Sequence, residues 1–325
     1  MRSLALVVVA FVIAVIAAGC ALHVGTPGTP IASANYPNCK AAPDGVPATF
    51  RHDRNRVLSR LGTPKHRGVD LIAVEGDENQ TLGGKLAYTA VDKDLEDEIV
   101  EVFACSGSGW RSLGTTRTND DGRFALTLHG DSRLAVGMTD LYARVPGDGS
   151  GVRFLGYVAT KDAAVIVTDV DGTITTSEQA IYKTVVLGRD IGHQRHAPQA
   201  LAASGKTVVY ITARGDQYTE VTRDWLRVHG FPPGPLRLAS SAVTMPGAST
   251  VAFKTTTLRQ LPVRIAAGVG NRASDIKAYR NAGLTPDRIF INLPEFTDEL
   301  RTELAAGKAT AFDDYRDLHA VLPKM

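Results

Sequence analysis

Val165 to Thr175, VIVTDVDGTIT, constrains this chain's fold more than any other stretch: an apolar run of strand length ends in two aspartates spaced i, i+2, with a glycine directly after. Near-continuous apolar runs mark strands buried on both faces of a parallel sheet. The texture returns in TVVYIT from Thr207, VRIAAGVG from Val263 and RIFINL from Arg288. Helix-period segments fall between them: Ala197 to Ser204, Gln217 to His229 with Tyr218, Val221, Trp225 and Val228 on one core-facing side, and Ala273 to Ala282. Strict β/α alternation predicts an α/β domain over 162–325, a parallel sheet with helices on both faces, and ligands at the carboxyl ends of its strands.

Those strand ends carry chemistry. One closes in Asp169-Val170-Asp171-Gly172-Thr173, another in Thr212-Ala213-Arg214, and the remaining pair is preceded by Lys254 and joined by Gly270-Asn271-Arg272-Ala273-Ser274-Asp275. A divalent cation relieves the repulsion between paired carboxylates, and hard oxygen donors beside a phosphate are what Mg²⁺ prefers. Asp169, Asp171 and Asp275 are the expected metal ligands. Asp169 would also attack phosphorus, forming an aspartyl-phosphate, while Asp171 protonates the leaving alkoxide and later activates water. Thr212 would donate to the transferring oxygens and Lys254 neutralise their charge. Gly172, Thr173, Ala213, Arg214, Asn271 and Arg272 are expected to line the substrate, with Gly172 allowing a sharp turn beneath the phosphate. Arg214 and Arg272 either hold a phosphate or headgroup or brace the loops through carboxylates. His193 and His196 have no cysteine or carboxylate at ligand spacing and read as exposed histidines, not a zinc pair.

Ahead of this domain the texture is different. VDLIAVEG, GGKLAYTAV, EIVEVFAC, RSLGTTRT, GRFALTL, DLYARV and RFLGYVA are short alternating runs separated by Gly, Asp and Asn turns. They predict an all-β antiparallel sandwich over 63–161, immunoglobulin-like or transthyretin-like, acting as an accessory domain. Residues 23–62, rich in Pro, Gly, Ala and Ser, read as a flexible linker. At the start, Arg2 precedes the uncharged run Leu4 to Leu22, with Ala17, Ala18 and Gly19 before Cys20. Residues 1–22 thus read as a signal peptide, a lipoprotein signal with Cys20 as the acylated residue, or an uncleaved anchor, each placing the body outside the cytoplasm. Cys39 and Cys105 remain, either as a disulfide or as two thiols. A formal net charge of +2, without Lys/Arg runs interleaved with aromatics, argues against nucleic acid as a partner.

Asp169-x-Asp171-Gly-Thr, Thr212, Lys254 and Gly-Asn271-x-x-x-Asp275 resemble, in order, the motifs of the haloacid dehalogenase (HAD) superfamily, mostly Mg²⁺-dependent phosphatases. DVDGTITTSE, LGRDIGHQ, YITAR, GPLRL, FKTTTLRQL and GNRASDIKAYRNAGLTPDRIFINLP look like the LNS2 catalytic domain of lipins, Mg²⁺-dependent phosphatidate phosphatases. The resemblance covers Ala163 to Leu322. It implies a HAD-like Rossmannoid fold, a lipid phosphate substrate and a phospholipid membrane as partner. Lipins usually carry Ser where Thr212 stands, and Gly where Arg195 stands. Related domains of phosphatidylinositol-transfer proteins lack the second aspartate and are taken to bind phosphatidate without hydrolysing it; Asp171 is present here. The expectation is a tethered phosphatase for phosphatidate or a related lipid phosphate, the alternatives being a phosphatase for small soluble esters and a non-catalytic phosphatidate-binding module.

Overall fold

The computed structural model describes residues 39–107, 109–179, 190–240, 247–293 and 295–325. The signal-like segment and Cys20 lie outside the described residues, as does part of LGRDIGHQ. Among the described residues no helix is long and apolar enough to cross a membrane.

The first domain is a β-sandwich entered through helix α1 (Asp53–Leu61). Strands β1 (Arg67–Val69), β3 (Gln80–Lys85) and β8 (Arg123–Leu128) form one sheet, in the order β1-β3-β8. Strands β2 (Leu71–Val74), β6 (Ile99–Ser106), β7 (Gly109–Arg117), β9 (Gly137–Arg144) and β10 (Gly151–Ala159) form the other, in the order β2-β10-β9-β6-β7. A small ribbon pairs β4 (Ala87–Tyr88) with β5 (Lys93–Asp94). Alternating residues such as Leu82, Val100, Val102, Leu141 and Phe154 fill the space between the sheets, as half-buried strands require. One pairing departs from the all-antiparallel expectation. The chain crosses between sheets at Asp70, so β2 meets β10 in parallel.

Residues 39–62 are not the flexible linker their composition suggests. Cys39 is disulfide-bonded to Cys105 on β6. Trp110 Nε1 donates to the Ala41 carbonyl (2.7 Å), and Arg153 Nη2 to those of Lys40 (3.0 Å) and Ala41 (2.9 Å). Further on, Asn55 Nδ2 on α1 donates to the Glu96 carbonyl and to Glu98 Oε2, both at 2.9 Å. Long-range side-chain bonds fasten a segment whose own pattern carries no strand or helix period. Because the disulfide spans 66 residues, replacing both cysteines by serine is expected to lower unfolding stability by roughly 2–4 kcal/mol, read as a lower urea midpoint; an unchanged midpoint would show the other contacts suffice.

The second domain alternates β11 (Ala164–Thr168), α2 (Ala197–Ala203), β12 (Val208–Gly215), α3 (Thr219–Val228), β13 (Leu236–Ala239), α4 (Ala248–Arg259), β14 (Arg264–Gly270), α5 (Ala273–Asn281), β15 (Ile289–Asn292), α6 (Thr297–Ala305), β16 (Thr310–Phe312) and α7 (Tyr315–His319). Its sheet runs β13-β12-β11-β14-β15-β16 with every pair parallel. Side chains of β11 alternate between two cores: Ile166 enters one, Val165 and Val167 the other. The chain builds outward from β11 on one side, then returns to build from β14 on the other. The crevice at the carboxyl ends of β11 and β14 is therefore the topological switch point, where ligands of such sheets bind.

The core on one face of this sheet also takes Ile72, Tyr157 and Ala159 from the sandwich. Asp70, with no exposed side-chain surface, ties the domains together there. It accepts from the Leu155 N–H (2.8 Å) of β10, the Leu236 N–H (2.7 Å) of β13 and Arg223 Nη2 (2.8 Å) of α3.

Candidate functional site

The switch point gathers the sequence motifs. Asp169 follows β11 directly, its N–H bonded to the Val269 carbonyl of β14 (3.0 Å). The chain then turns at Gly172, φ 68°. A Cβ there would crowd the side-chain ends of Asn271 and Glu178, and the positive φ strains any other residue, so the position favours glycine. Thr175 Oγ1 accepts the Gly172 N–H, and Tyr315 OH donates to the Thr173 carbonyl (2.8 Å), fixing the loop from below.

Asp169, Lys254 and Asp275 form a buried triad. Lys254 Nζ on α4 lies 2.6 Å from Asp169 Oδ1 and 2.6 Å from Asp275 Oδ1. Asp275 Oδ2 accepts the N–H groups of Asn271 and Arg272, each at 3.1 Å, which seats it at the start of α5. Thr173 Oγ1 lies 2.9 Å from both Asp169 Oδ2 and Asn271 Oδ1. Each Asp169 oxygen is thus engaged once, and a carboxylate oxygen has two lone pairs. Burial, reinforced by the charges of Asp275 and Asp171 and opposed by Lys254, pushes the Asp169 carboxyl up to about 6.

Asp171 is held apart from the triad. Arg214 grips it with two parallel bonds, Nε to Oδ2 (2.8 Å) and Nη2 to Oδ1 (2.6 Å), and Thr212 Oγ1 adds a third at 3.1 Å. Arg214 is itself oriented by Thr222 Oγ1 on α3, 2.8 Å from Nη1. Arg272 pairs with Glu299 at 2.7 Å and lies 3.8 Å from the Phe296 ring centroid. Both arginines contact carboxylates of neighbouring loops and helices. Ala213 lies half-exposed on β12 between Thr212 and Arg214.

Two acidic residues escaped the sequence reading. Glu178 Oε2 accepts from Asn271 Nδ2 (3.2 Å), and the Glu178 N–H donates to Glu295 Oε2 (3.1 Å). Burial first, then the charges of Asp169 and Asp171, push the Glu178 carboxyl up to about 8. Glu178 closes the quoted DVDGTITTSE, but no spacing rule marks it; Glu295 lies 117 residues away. Thr222 was missed because the apolar period of α3 pointed elsewhere. Its buried residues are Thr219, Thr222, Trp225 and Leu226, while Tyr218, Val221 and Val228 are only half-buried. Trp225 does sit in the core. His193 and His196 are half-buried, not exposed; the His193 ring packs edge-on against His229 (5.4 Å) and Phe231 (5.8 Å).

Among the described residues no group of three or more His, Cys, Asp or Glu closes around a metal position. The donor set nevertheless fits Mg²⁺, which takes one or two carboxylates and completes its shell with water and phosphate oxygens. Five acids, Asp169, Asp171, Asp275, Glu178 and Glu295, stand among the cations Lys254, Arg214 and Arg272, and a divalent cation would offset the negative charge left over.

Comparison with known proteins agrees with this two-domain layout. A family model of the β-sandwich domain of PITM 1-3 matches residues 64–158, and one of the LNS2 domain of PITM 1-3 matches residues 166–292. Membrane-associated phosphatidylinositol transfer protein 1 of Rattus norvegicus is 26% identical over 249 residues, 74% of this chain and 19% of its own length. Protein retinal degeneration B of Drosophila melanogaster is 28% identical over 249 residues, 73% of this chain and 19% of its own. Membrane-associated phosphatidylinositol transfer protein 3 of Homo sapiens is 28% identical over 245 residues, 73% of this chain and 24% of its own. The chain thus spans about a fifth to a quarter of the length of these relatives. A ferredoxin-NADP⁺ reductase from Plasmodium falciparum aligns at 11% identity over 71% of this chain and 95% of its own, with a TM-score of 0.20, too low to bear on the fold. Sandwich and parallel-sheet domain, in that order, match the β-sandwich and LNS2 domain models of PITM 1-3, and the chain is homologous to the PITM and retinal degeneration B proteins, which carry an LNS2 domain of the HAD-like superfamily.

Proposed function

We propose that this protein is a Mg²⁺-dependent phosphatase acting on phosphatidate or a related lipid phosphate through an aspartyl-phosphate on Asp169. The observation that carries this reading is the buried Asp169–Lys254–Asp275 triad with a second carboxylate, Asp171, two residues along, all at the switch point of the sheet. Mg²⁺ would be held by Asp169, Asp171 and Asp275 and would supply charge neutralisation of the phosphoryl oxygens. Asp169 forms the new P–O bond as the ester oxygen leaves. Asp171 gives that oxygen a proton and takes one back from the hydrolytic water. Lys254 offsets charge beside the nucleophile, and Thr212, at the end of β12, orients Asp171 and can donate to the phosphoryl group. Two of the relatives are named as membrane-associated phosphatidylinositol transfer proteins, which supports a phospholipid as ligand. A lipoprotein-like leader would hold the domain beside its substrate outside the cytoplasm.

A second reading, a module that binds phosphatidate without turnover, is favoured by one observation. The two-bond Arg214 grip, with Thr212, occupies both Asp171 oxygens, so neither is free to pass a proton to a leaving group. Arg214 must loosen as the substrate enters if the phosphatase reading holds. The test is phosphate release by the protein body, residues 39–325, from phosphatidate in mixed micelles and from a panel of soluble phosphate esters. Metal-dependent release favouring phosphatidate, abolished by chelator and restored by Mg²⁺, is the expected result. Release from soluble esters alone would discard the lipid assignment; phosphatidate binding without release would establish the binding module.

A further inference from the structure

A cavity of about 300 Å³ lies at the seam between the two domains, at the small end of the range for ligand clefts. Ile72 of β2, Thr81 of β3, and Arg123 and Phe124 of β8 line it from the sandwich, and Arg237 of β13 reaches it from the second domain. Strand alternation puts Arg237 there. Leu236 lies in the core on one face of the parallel sheet and Leu238 packs against the same core, so the residue between them faces the opposite side, where Asp70 and Arg223 act on its charge. GPLRL thus carries a cation between two core leucines at an edge strand of the sheet.

That cation has no acid of its own. Its Nη1 donates to the carbonyl of its neighbour Leu236 at 3.3 Å, and among the described residues it forms no ion pair. Asp70 is the one acid on the cavity wall. Its carboxylate has no exposed surface and is already taken by the Leu155 and Leu236 N–H groups and by Arg223. Burial holds the half-buried Arg237 guanidinium below its ordinary pKa, with Asp70 opposing and Arg223 adding to the effect. Arg123 is the second cation on the wall, and it hydrogen-bonds Asp216 through Nη2 alone, at 3.3 Å. A guanidinium fork matches the oxygens of carboxylate and phosphate, and a buried charge without a partner favours one.

We propose that this cavity is an anion site for a phosphate group, held between Arg237 of the parallel-sheet domain and Arg123 of the sandwich, the phosphate being either inorganic phosphate or the headgroup of a lipid phosphate. The cavity shares no lining residue with the Asp169–Lys254–Asp275 triad, so the site is separate from the reacting centre and does not depend on how that centre is read. Because the two arginines belong to different domains, the anion joins them beside Asp70, and its binding stabilises the folded pair.

The test titrates the protein body, residues 39–325, with inorganic phosphate in the presence of chelator, so that no metal gathers phosphate at the acids of the triad. The heat of binding and the urea midpoint are followed together. Saturable binding that raises the midpoint is expected in the wild type and equally in Asp169→Asn. Arg237→Gln and Arg123→Gln are each expected to weaken it about tenfold or more. No binding by the wild type, or wild-type affinity in folded Arg237→Gln, overturns the proposal. Should Arg237→Gln not fold, wild-type affinity in Arg123→Gln, whose side chain is 39% exposed, overturns it instead. Dioctanoyl phosphatidate, kept below its micellar concentration, separates the two sources. Binding that depends on Arg237 and is tighter than that of inorganic phosphate assigns the cavity to a headgroup; equal or weaker binding assigns it to free phosphate.

Discussion

Asp169→Asn is expected to reduce phosphate release from phosphatidate by roughly a thousandfold or more, and Asp171→Asn by about 10²–10⁴, both with phosphatidate binding retained. The two substitutions remove different things. At Asp169 the amide cannot form the acyl phosphate, and Lys254 loses one of its two carboxylates while keeping Asp275 at 2.6 Å. At Asp171 the amide cannot exchange a proton with the leaving group or water, and the Arg214 fork loses its charged acceptor. The fold should survive both, because the motif loop is also tied by Thr175, by Tyr315 and by the β11 pairing. Binding is read by co-sedimentation with phosphatidate vesicles, turnover by phosphate release. If both variants keep wild-type release, the triad is not the reacting centre. Wild-type protein that binds but releases nothing would move the chain to the binding reading, with Arg214 as the residue that holds Asp171 out of use.

The site was more legible than the scaffold around it because its chemistry depends on short local spacing. Asp169, Asp171 and Gly172 sit in one loop, and Asn271 and Asp275 are one helical turn apart, so their grouping needed no tertiary information. Lys254 was recognised by motif although its helix was not: α4 reads AlaSerThrValAlaPheLysThrThrThrLeuArg, and that run of threonines carries no apolar period. Short outer strands such as β13 and β16 were missed for a related reason, since four and three residues are too few to show a pattern. Glu178, Glu295 and Thr222 join the site only through tertiary folding. The 39–62 segment shows the opposite error. Its composition is that of a linker, and its order comes from a disulfide and hydrogen bonds with distant strands.

Asp70→Ala is expected to destabilise the protein by roughly 3–5 kcal/mol and to uncouple its two domains. The wild-type carboxylate has no exposed surface and accepts bonds from two strands and a helix belonging to both domains. Alanine leaves the Leu155 and Leu236 N–H groups unpaired and takes the carboxylate from Arg223. The contacts of Asp216 with buried Arg67 (3.0 Å) and with the more exposed Arg123 (3.3 Å) remain, so the domains stay adjacent but lose the tie that Asp70 makes. The chain has two tryptophans, Trp110 on β7 and Trp225 on α3, one in each domain. Urea unfolding followed by the fluorescence of single-tryptophan versions, Trp225→Phe and Trp110→Phe, therefore reports each domain separately. Coincident transitions are expected with Asp70 present and separated ones in Asp70→Ala; coincident, unshifted curves in the variant would remove Asp70 as the tie. The same helix links this tie to the chemistry. Arg223 meets Asp70 while its neighbour Thr222 holds the arginine that grips Asp171. Loss of Asp70 should therefore loosen the Asp171 clamp as well as the domain interface, and a change in the pH profile of turnover, beyond any loss of folded protein, would separate that effect from simple unfolding.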